Sequence, residues 1–309
     1  KNNIAVTCSQ CHYGIYEKFV QSVHSKSVSK SKEELPTCRD CHTAHTIKRT
    51  DQEGFKHQII SMCGRCHTEI AKTYFETYHG KVSQLGYNKT AKCYDCHGSH
   101  DILSVADPNS HLSRSNIVST CKKCHPGATR RFAGYLTHAT HHDPAKYPWL
   151  FWTFWGMTAL LTGTFAVFGL HSLLWLPRTI QMRRLHPPKP LEEGEKQYVR
   201  FNRLYRILHV TMIVSFISLA VTGMTLKFSY TGWAAFMSRL LGGFESAGYV
   251  HRVAAVIMII IFILHVFDII RQKRRERRTW LGMLFNPDGM LFNKTDLSEF
   301  IASVKWFVG

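Results

Sequence analysis

Five times in its first 125 residues the chain reads Cys, two residues, Cys, His: Cys8/Cys11/His12, Cys38/Cys41/His42, Cys63/Cys66/His67, Cys93/Cys96/His97 and Cys121/Cys124/His125. These units use all ten cysteines. A disulfide framework also needs an even count, and zinc also takes Cys and His, but neither asks for a histidine directly after every second cysteine. Covalent attachment of haem does. Two thiols at this spacing reach the two vinyl groups on one edge of a porphyrin, and the adjoining imidazole takes the iron from one face. The pattern predicts five haem c groups. Such groups are assembled outside the cytoplasmic membrane, so the first half is expected to be periplasmic. The chain starts with Lys and shows no signal peptide, and a targeting segment is expected to have been removed or left out.

A shift of 55 residues carries Cys8 to Cys63, His12 to His67, His24 to His79, Cys38 to Cys93, His42 to His97 and His45 to His100. Residues 8–62 and 63–117 thus read as two copies of one unit, each with two attachment sites and two further histidines. Cys121 opens a partial third copy, in which His138 follows at nearly the offset of His24. Five attachment sites come with five matched histidines, His24, His45, His79, His100 and His138, the number that bis-histidine ligation of every iron requires. His100 stands one helical turn after His97, roughly 5 Å away. The second ligand of an iron approaches from the face opposite the first, so His100 is expected to serve a neighbouring haem, and His45 likewise. His24 and His79 lie at the ends of YGIYEKFVQSV and TEIAKTYFETY, which read as helices about 18 Å long. They too are expected to reach other haems. His57 and His111 are substitutes outside the repeat register, and His141 and His142 stand close to His138. Polar stretches such as SKSVSKSKEELPT and VADPNSHLSRSN are too poor in apolar residues for an ordinary core, which leaves the porphyrins to provide one.

The 45% apolar content is concentrated in the second half. Runs at about 149–176, 207–228 and 250–270 are long enough to cross ~30 Å of hydrocarbon, and the first opens on a cluster of Trp suited to the interface. The expected fold is mostly α. A pentahaem c-type domain with little regular core occupies 1–147, an all-α transmembrane bundle of three helices 148–278, and a cytoplasmic or interfacial segment 279–309. A net charge of +18 would ordinarily suggest nucleic acid or an anionic surface. Here the cations follow topology instead. PRTIQMRRLHPPKPLEEGEKQYVRFNRLYR after the first span holds eight Lys/Arg and RQKRRERR after the third holds six, against Arg239 alone between the second and third. The positive-inside rule assigns the first two segments to the cytoplasm, which leaves the N-terminal half outside. Haem propionates offset charge near the cofactors, and no nucleic-acid motif accompanies the basic residues, so nucleic acid is not an expected partner.

Histidines within membrane spans are costly and mark functional sites. His251 and His265 are fourteen residues apart, within about 40° of one helix face and ~21 Å apart along the axis. That spacing suits two stacked haem b groups. His209 and His171 share the depth of His265, so the inner haem has three candidate ligands. The outer one has His251, with His141, His142 or another chain to complete it.

RLYRILHVTMIVSFISLAVTGM followed by GYVHRVAAVIMIIIFILHVF resembles the first two helices of the b-type cytochrome of formate dehydrogenase (its gamma subunit) and of nickel-iron hydrogenase. With the CxxCH repeats in front, the chain is similar to the multihaem cytochrome c/cytochrome b fusions of respiratory metal-reducing and related bacteria. The resemblance implies that His209 and His251 are axial ligands of two b haems whose partners come from a later helix with two more histidines. That helix is not in this sequence, so either a truncated chain or a second polypeptide completing the bundle is expected. DLSEFIASVKWFVG reads as a short amphipathic segment capped by Asp296 with Glu299 at the third position.

The resemblance further implies an inner-membrane protein that passes electrons between menaquinone or ubiquinone and periplasmic cytochromes or a redox enzyme subunit. One or two haem b and the five-haem wire would carry them, as a quinol:cytochrome c-type oxidoreductase. The alternative is a haem-carrying anchor and relay within a larger dehydrogenase or reductase. A terminal reductase with an open iron is disfavoured by the five matched histidines.

Overall fold

The computed structural model describes residues 3–187, 203–277, 279–281 and 294–308. All regular structure among them is helical. The first half carries short helices: α1 (Ile4–Ser9), α2 (Tyr13–Val20), α3 (Cys38–His42), α4 (Glu53–Gly64), α5 (Thr68–Glu76), α6 (Tyr78–Gln84), α7 (Cys93–His97), α8 (Ile117–Lys122) and α9 (Arg130–Ala133). The second carries α10 (Pro148–Leu185), α11 (Arg203–Lys227), α12 (Gly232–Leu240), α13 (Phe244–Glu276) and α14 (Lys294–Val308). Two compact units result, one of Lys1–Thr140 with Val221–Tyr249, the other of His141–Ala220 with Val250–Gly309.

In the first unit the apolar core is small. Phe55, Ile59 and Ile60 of α4 bury against Tyr74 of α5, and Cys41, Cys63, Cys93 and Tyr94 pack around them. Apolar side chains and motif cysteines thus share one interior. The segment expected to be a single helix ending at His79 is broken instead. Thr77 turns extended (ψ 164°) and its hydroxyl oxygen accepts the N–H of Gly80 at 3.2 Å, capping a second helix, α6. His79 therefore sits in the first turn of α6. In the first copy, α2 likewise stops at Val20, and His24 follows in a turn.

In the second unit α10 runs 38 residues, past the expected end of the span and through Pro177 to Leu185. Pro177 removes one backbone donor, but Arg183 and Arg184 in the last turn suit the negative end of the helix dipole and carry the helix on. Thr158, Thr164 and Ser172 donate their hydroxyl protons to carbonyls four residues back at 2.8 Å, which satisfies them in an apolar span. α10, α11 and Phe244–Arg275 of α13 are each long and apolar enough to cross a membrane. The closing amphipathic helix begins at Lys294, so Asp296 lies in its first turn and is not its cap. It rests on α10 through Trp306 under Arg178, 5.5 Å from ring centroid to guanidinium, and through Phe307 edge-on to His171.

Candidate functional site

The CxxCH motifs take two local forms. Cys8, Cys63 and Cys121 lie near the ends of α1, α4 and α8, and the motif histidine follows in a turn: the N–H groups of His12, His67 and His125 donate to those cysteines' carbonyls at 2.9, 3.0 and 2.9 Å. The second thiol of this form falls in the same turn. The N–H groups of Cys11, Cys66 and Cys124 donate to the carbonyls of Cys8, Cys63 and Cys121 at 3.2, 3.3 and 3.3 Å, and all three side chains are exposed. Motif cysteines at these positions therefore lie outside the apolar interior that Cys41, Cys63 and Cys93 share, because the chain has already left its helix when it reaches them. Cys38–His42 and Cys93–His97 are instead one-turn helices, α3 and α7. Each is held by an aspartate inside the motif. Asp40 accepts from the backbone N–H (2.7 Å) and hydroxyl (2.8 Å) of Thr37, and Asp95 accepts from the N–H of Lys92 at 2.8 Å. These two aspartates escaped the sequence reading although they obey the 55-residue shift. Their signal is an acid at the third position of a helix. The unit at Cys121 has the form of the first site of a copy.

Thiols of successive motifs are neighbours. Cys38 lies beside Cys8, Cys41 beside Cys63 and Cys66, Cys63 beside Cys93, and Cys96 beside Cys121 and Cys124. Among these described contacts Cys66 and Cys124 each meet a thiol of another motif, whereas Cys11 is joined to the series through Cys8 of its own motif. Burial pushes the thiols of Cys38, Cys41 and Cys96 up. A hydrogen bond between Cys63 and Cys93 raises the first and lowers the second. The five motifs are therefore adjacent in chain order.

Four of the five motif histidines face a matched histidine. Ring centroids stand 6.2 Å apart for His67 and His24, 6.0 Å for His42 and His100, 6.2 Å for His125 and His79, and 6.3 Å for His97 and His138. Two imidazoles on opposite sides of one metal ion, with bonds of about 2 Å, set their centroids roughly 6 Å apart. The residues present fit an iron held between each pair. His24 and His79 each meet the first histidine of the following copy, while His100 reaches back to the second histidine of the preceding one. His12 and His45 stand outside these four pairs and are exposed.

Electrostatics favour the metal-binding form. Burial, first of all, lowers His24, His42, His79, His97 and His100, and a nearby histidine adds to it, so these rings are neutral at neutral pH. His138 is oriented by Thr73, whose hydroxyl donates to the Ile70 carbonyl at 2.8 Å and so can only accept from His138 Nδ1, 3.0 Å away. That would leave Nε2 to bind an iron. Phe55 stacks on His42 at 5.5 Å and Phe132 packs on His125 at 5.0 Å. Of the substitutes, His111 is engaged with Asp101 (Nε2 to Oδ2, 3.1 Å), and the His57 side chain lies outside the described residues.

Among the span histidines, His171 lies on α10 against Phe307 at 5.4 Å, His209 on α11, and His251 and His265 on α13. The Tyr205 hydroxyl donates to Asp268. Tyr205 is one turn before His209 and Asp268 one turn after His265, so this bond brings the turns beside those two histidines together. His141 stacks between His142, 4.0 Å away, and Phe154, 3.7 Å away.

Residues 131–286 match the prokaryotic cytochrome b561 family. The chain belongs to that family. As a b561-type cytochrome it transfers electrons in the membrane through b-type haem, and the matched stretch holds His171, His209, His251 and His265 together with His138 at its start. No curated protein and no solved structure matches this cytochrome significantly.

Proposed function

We propose that this b561-type cytochrome is an electron conduit between the quinone pool, menaquinone or ubiquinone, and periplasmic redox partners. Its N-terminal half lies in the periplasm and holds five covalent haem c groups, and its spans hold two haem b groups in the inner membrane. Each haem, when bound, carries one electron. The chain's own residues do the rest. The cysteine pairs, from Cys8/Cys11 to Cys121/Cys124, would hold the porphyrins covalently, one after another along the chain. His12, His42, His67, His97 and His125 would each bind one iron, and His24, His79, His100 and His138 would complete four of those sites. His45 is the remaining matched ligand. His251 serves the outer b site, and His209, His265 and His171 are the candidates at the inner one. The observation that carries the reading is the recurrence of a centroid spacing between 6.0 and 6.3 Å in four pairs that join different copies.

The test is a pyridine haemochrome ratio with intact mass. Five c and two b haems per chain, together with quinol-driven reduction of the c sites, are the expected result. Absence of b haem would sink the membrane half of the proposal, and fewer than five covalent haems would sink the wire.

A second reading, an anchor and relay subunit of a larger dehydrogenase or reductase, is favoured by the exposure of the three spans, which are little buried among the described residues and leave room for helices of a second chain. Co-purification with a molybdenum or nickel subunit would select it.

A further inference from the structure

Helix α6 carries His79 and also holds a second set of contacts. Its first residue, Tyr78, stands edge-on to Phe244 with centroids 5.8 Å apart, and Tyr87 approaches the same ring at 5.7 Å. The Tyr87 hydroxyl donates to Glu245 at 2.8 Å, and the Ser229 hydroxyl donates to Gln84 at 2.8 Å. Lys81 and Lys227 repel across the same contact, so the rings and hydrogen bonds hold it against an opposing charge. Phe244 and Glu245 open α13, the helix that carries His251, and Ser229 follows α11, which carries His209. Tyr78, Gln84 and Tyr87 thus join α6 and the turn after it to Ser229, Phe244 and Glu245 by ring contacts and side-chain hydrogen bonds.

The other side of α6 is fixed as firmly. Gly80 lies so close to α5 that a Cβ there would stand 2.2 Å from the Tyr74 carbonyl oxygen, and the Thr90 hydroxyl donates to the carbonyl of His79 at 3.2 Å. His79 is thus held from both sides, opposite His125.

We infer that the site of Cys121, Cys124, His125 and His79 is the port of the c-type domain, and that Tyr78, Gln84 and Tyr87 are positioning residues that hold it on the segment joining α11 to α13. The inference rests on the electron-conduit reading. Each transfer moves one electron, the membrane-side donor being oxidised and the port reduced by one equivalent, and a quinol supplies two. From the port, the neighbouring thiols lead back motif by motif to Cys8, the end of the domain farthest along the wire.

The test uses the full-length haem-loaded protein in nanodiscs, with the variants Phe244→Ala and a double Gln84→Leu/Tyr87→Phe, the second serving if the first does not fold. Three quantities are followed: amide hydrogen exchange of residues 78–87, the electron paramagnetic resonance signal of the low-spin sites, and reduction of the c sites by quinol and by dithionite. The expected result is exchange faster by about tenfold in 78–87, a shifted signal from one low-spin site, slower reduction by quinol and an unchanged rate with dithionite. Unchanged reduction by quinol, with or without faster exchange, overturns the port. If quinol fails to reduce the c sites of the unaltered protein, the conduit reading falls and the port with it.

Discussion

The rings of His42 and His100 lie 6.0 Å apart and within 11° of parallel, although His100 is three residues from His97 and fifty-eight from His42. His138 faces His97 instead, at 6.3 Å. Loss of His100 and loss of His138 should therefore strike two different irons. A His100→Met/His138→Met double variant is expected to alter two low-spin signals in the electron paramagnetic resonance spectrum, and each single variant one. If His100 served the site of His97, the double variant would alter one.

Thr73 is predicted to tune that site without touching it. Thr73→Val keeps the shape but removes the acceptor that fixes the Nδ1–H form of His138. Outer partners of this kind are worth on the order of tenfold in ligand binding. A shifted midpoint potential of one site, restored by Thr73→Ser, is the expected outcome of a redox titration.

Lys92 is 2% exposed, and its ammonium donates to the carbonyls of Asn88 and Thr90 at 2.6 Å each. Lys92→Met would orphan both acceptors, at a cost of about 2 kcal/mol or more. A lower Tm is expected. Burial holds the Lys92 ammonium below its ordinary value of 10.5, so the folded state releases its proton first. Its contribution to stability rises as pH climbs toward 10.5. The Tm gap between parent and variant should widen over that range.

Thr43 and Gly98 are equivalent under the repeat and share one backbone geometry, φ 64° and ψ 179° against φ 83° and ψ 171°. Glycine is at home there, whereas threonine is strained by roughly 1–3 kcal/mol. Thr43→Gly relieves this strain, offset in part by the freedom glycine gains in the unfolded chain. It is expected to raise Tm by a degree or more. Gly98→Thr is expected to lower it further than that, since a Cβ at 98 would stand 2.5 Å from Asp101.

Gly80→Ala is predicted to be among the most damaging single-carbon additions in the N-terminal half. The added carbon meets backbone atoms of Tyr74 and Phe75 at 2.2 and 2.6 Å, which cannot swing aside as a side chain would. α6 must move off α5 and carry His79 with it. Thermal denaturation together with the signal of the His79/His125 site should register both effects. A variant with parental Tm and spectrum would contradict the packing at this corner.

The CxxCH motifs, the 55-residue repeat and the three spans were legible in the chain because each rests on a local pattern. A CxxCH motif takes five consecutive residues, and a span needs only apolar length. The same locality explains what was missed. The break at Thr77 depends on a hydroxyl finding Gly80 and on α6 packing against α5, where periodicity read one continuous helix. Asp40 and Asp95 occupy variable positions of the motif, and only the folded chain shows their carboxylates closing the turn that forms it. Nor did the motif itself tell Cys11 from Cys41, the one exposed in a turn and the other packed against the core, since that difference lies in where each helix ends.

By itself the sequence determined which residues could hold a cofactor and how many there are, since covalent and ligand chemistry admits few residue types at few spacings. It could also argue against one pairing, because a residue one helical turn from His97 would meet any iron that His97 binds from the same side. Only the tertiary structure decided that His100 meets His42, that His138 meets His97 and that His79 meets His125. Those choices join residues more than forty positions apart, and no local rule fixes them. They are set by how short helices pack around a small core and, for His79, by a glycine that lets two helices touch.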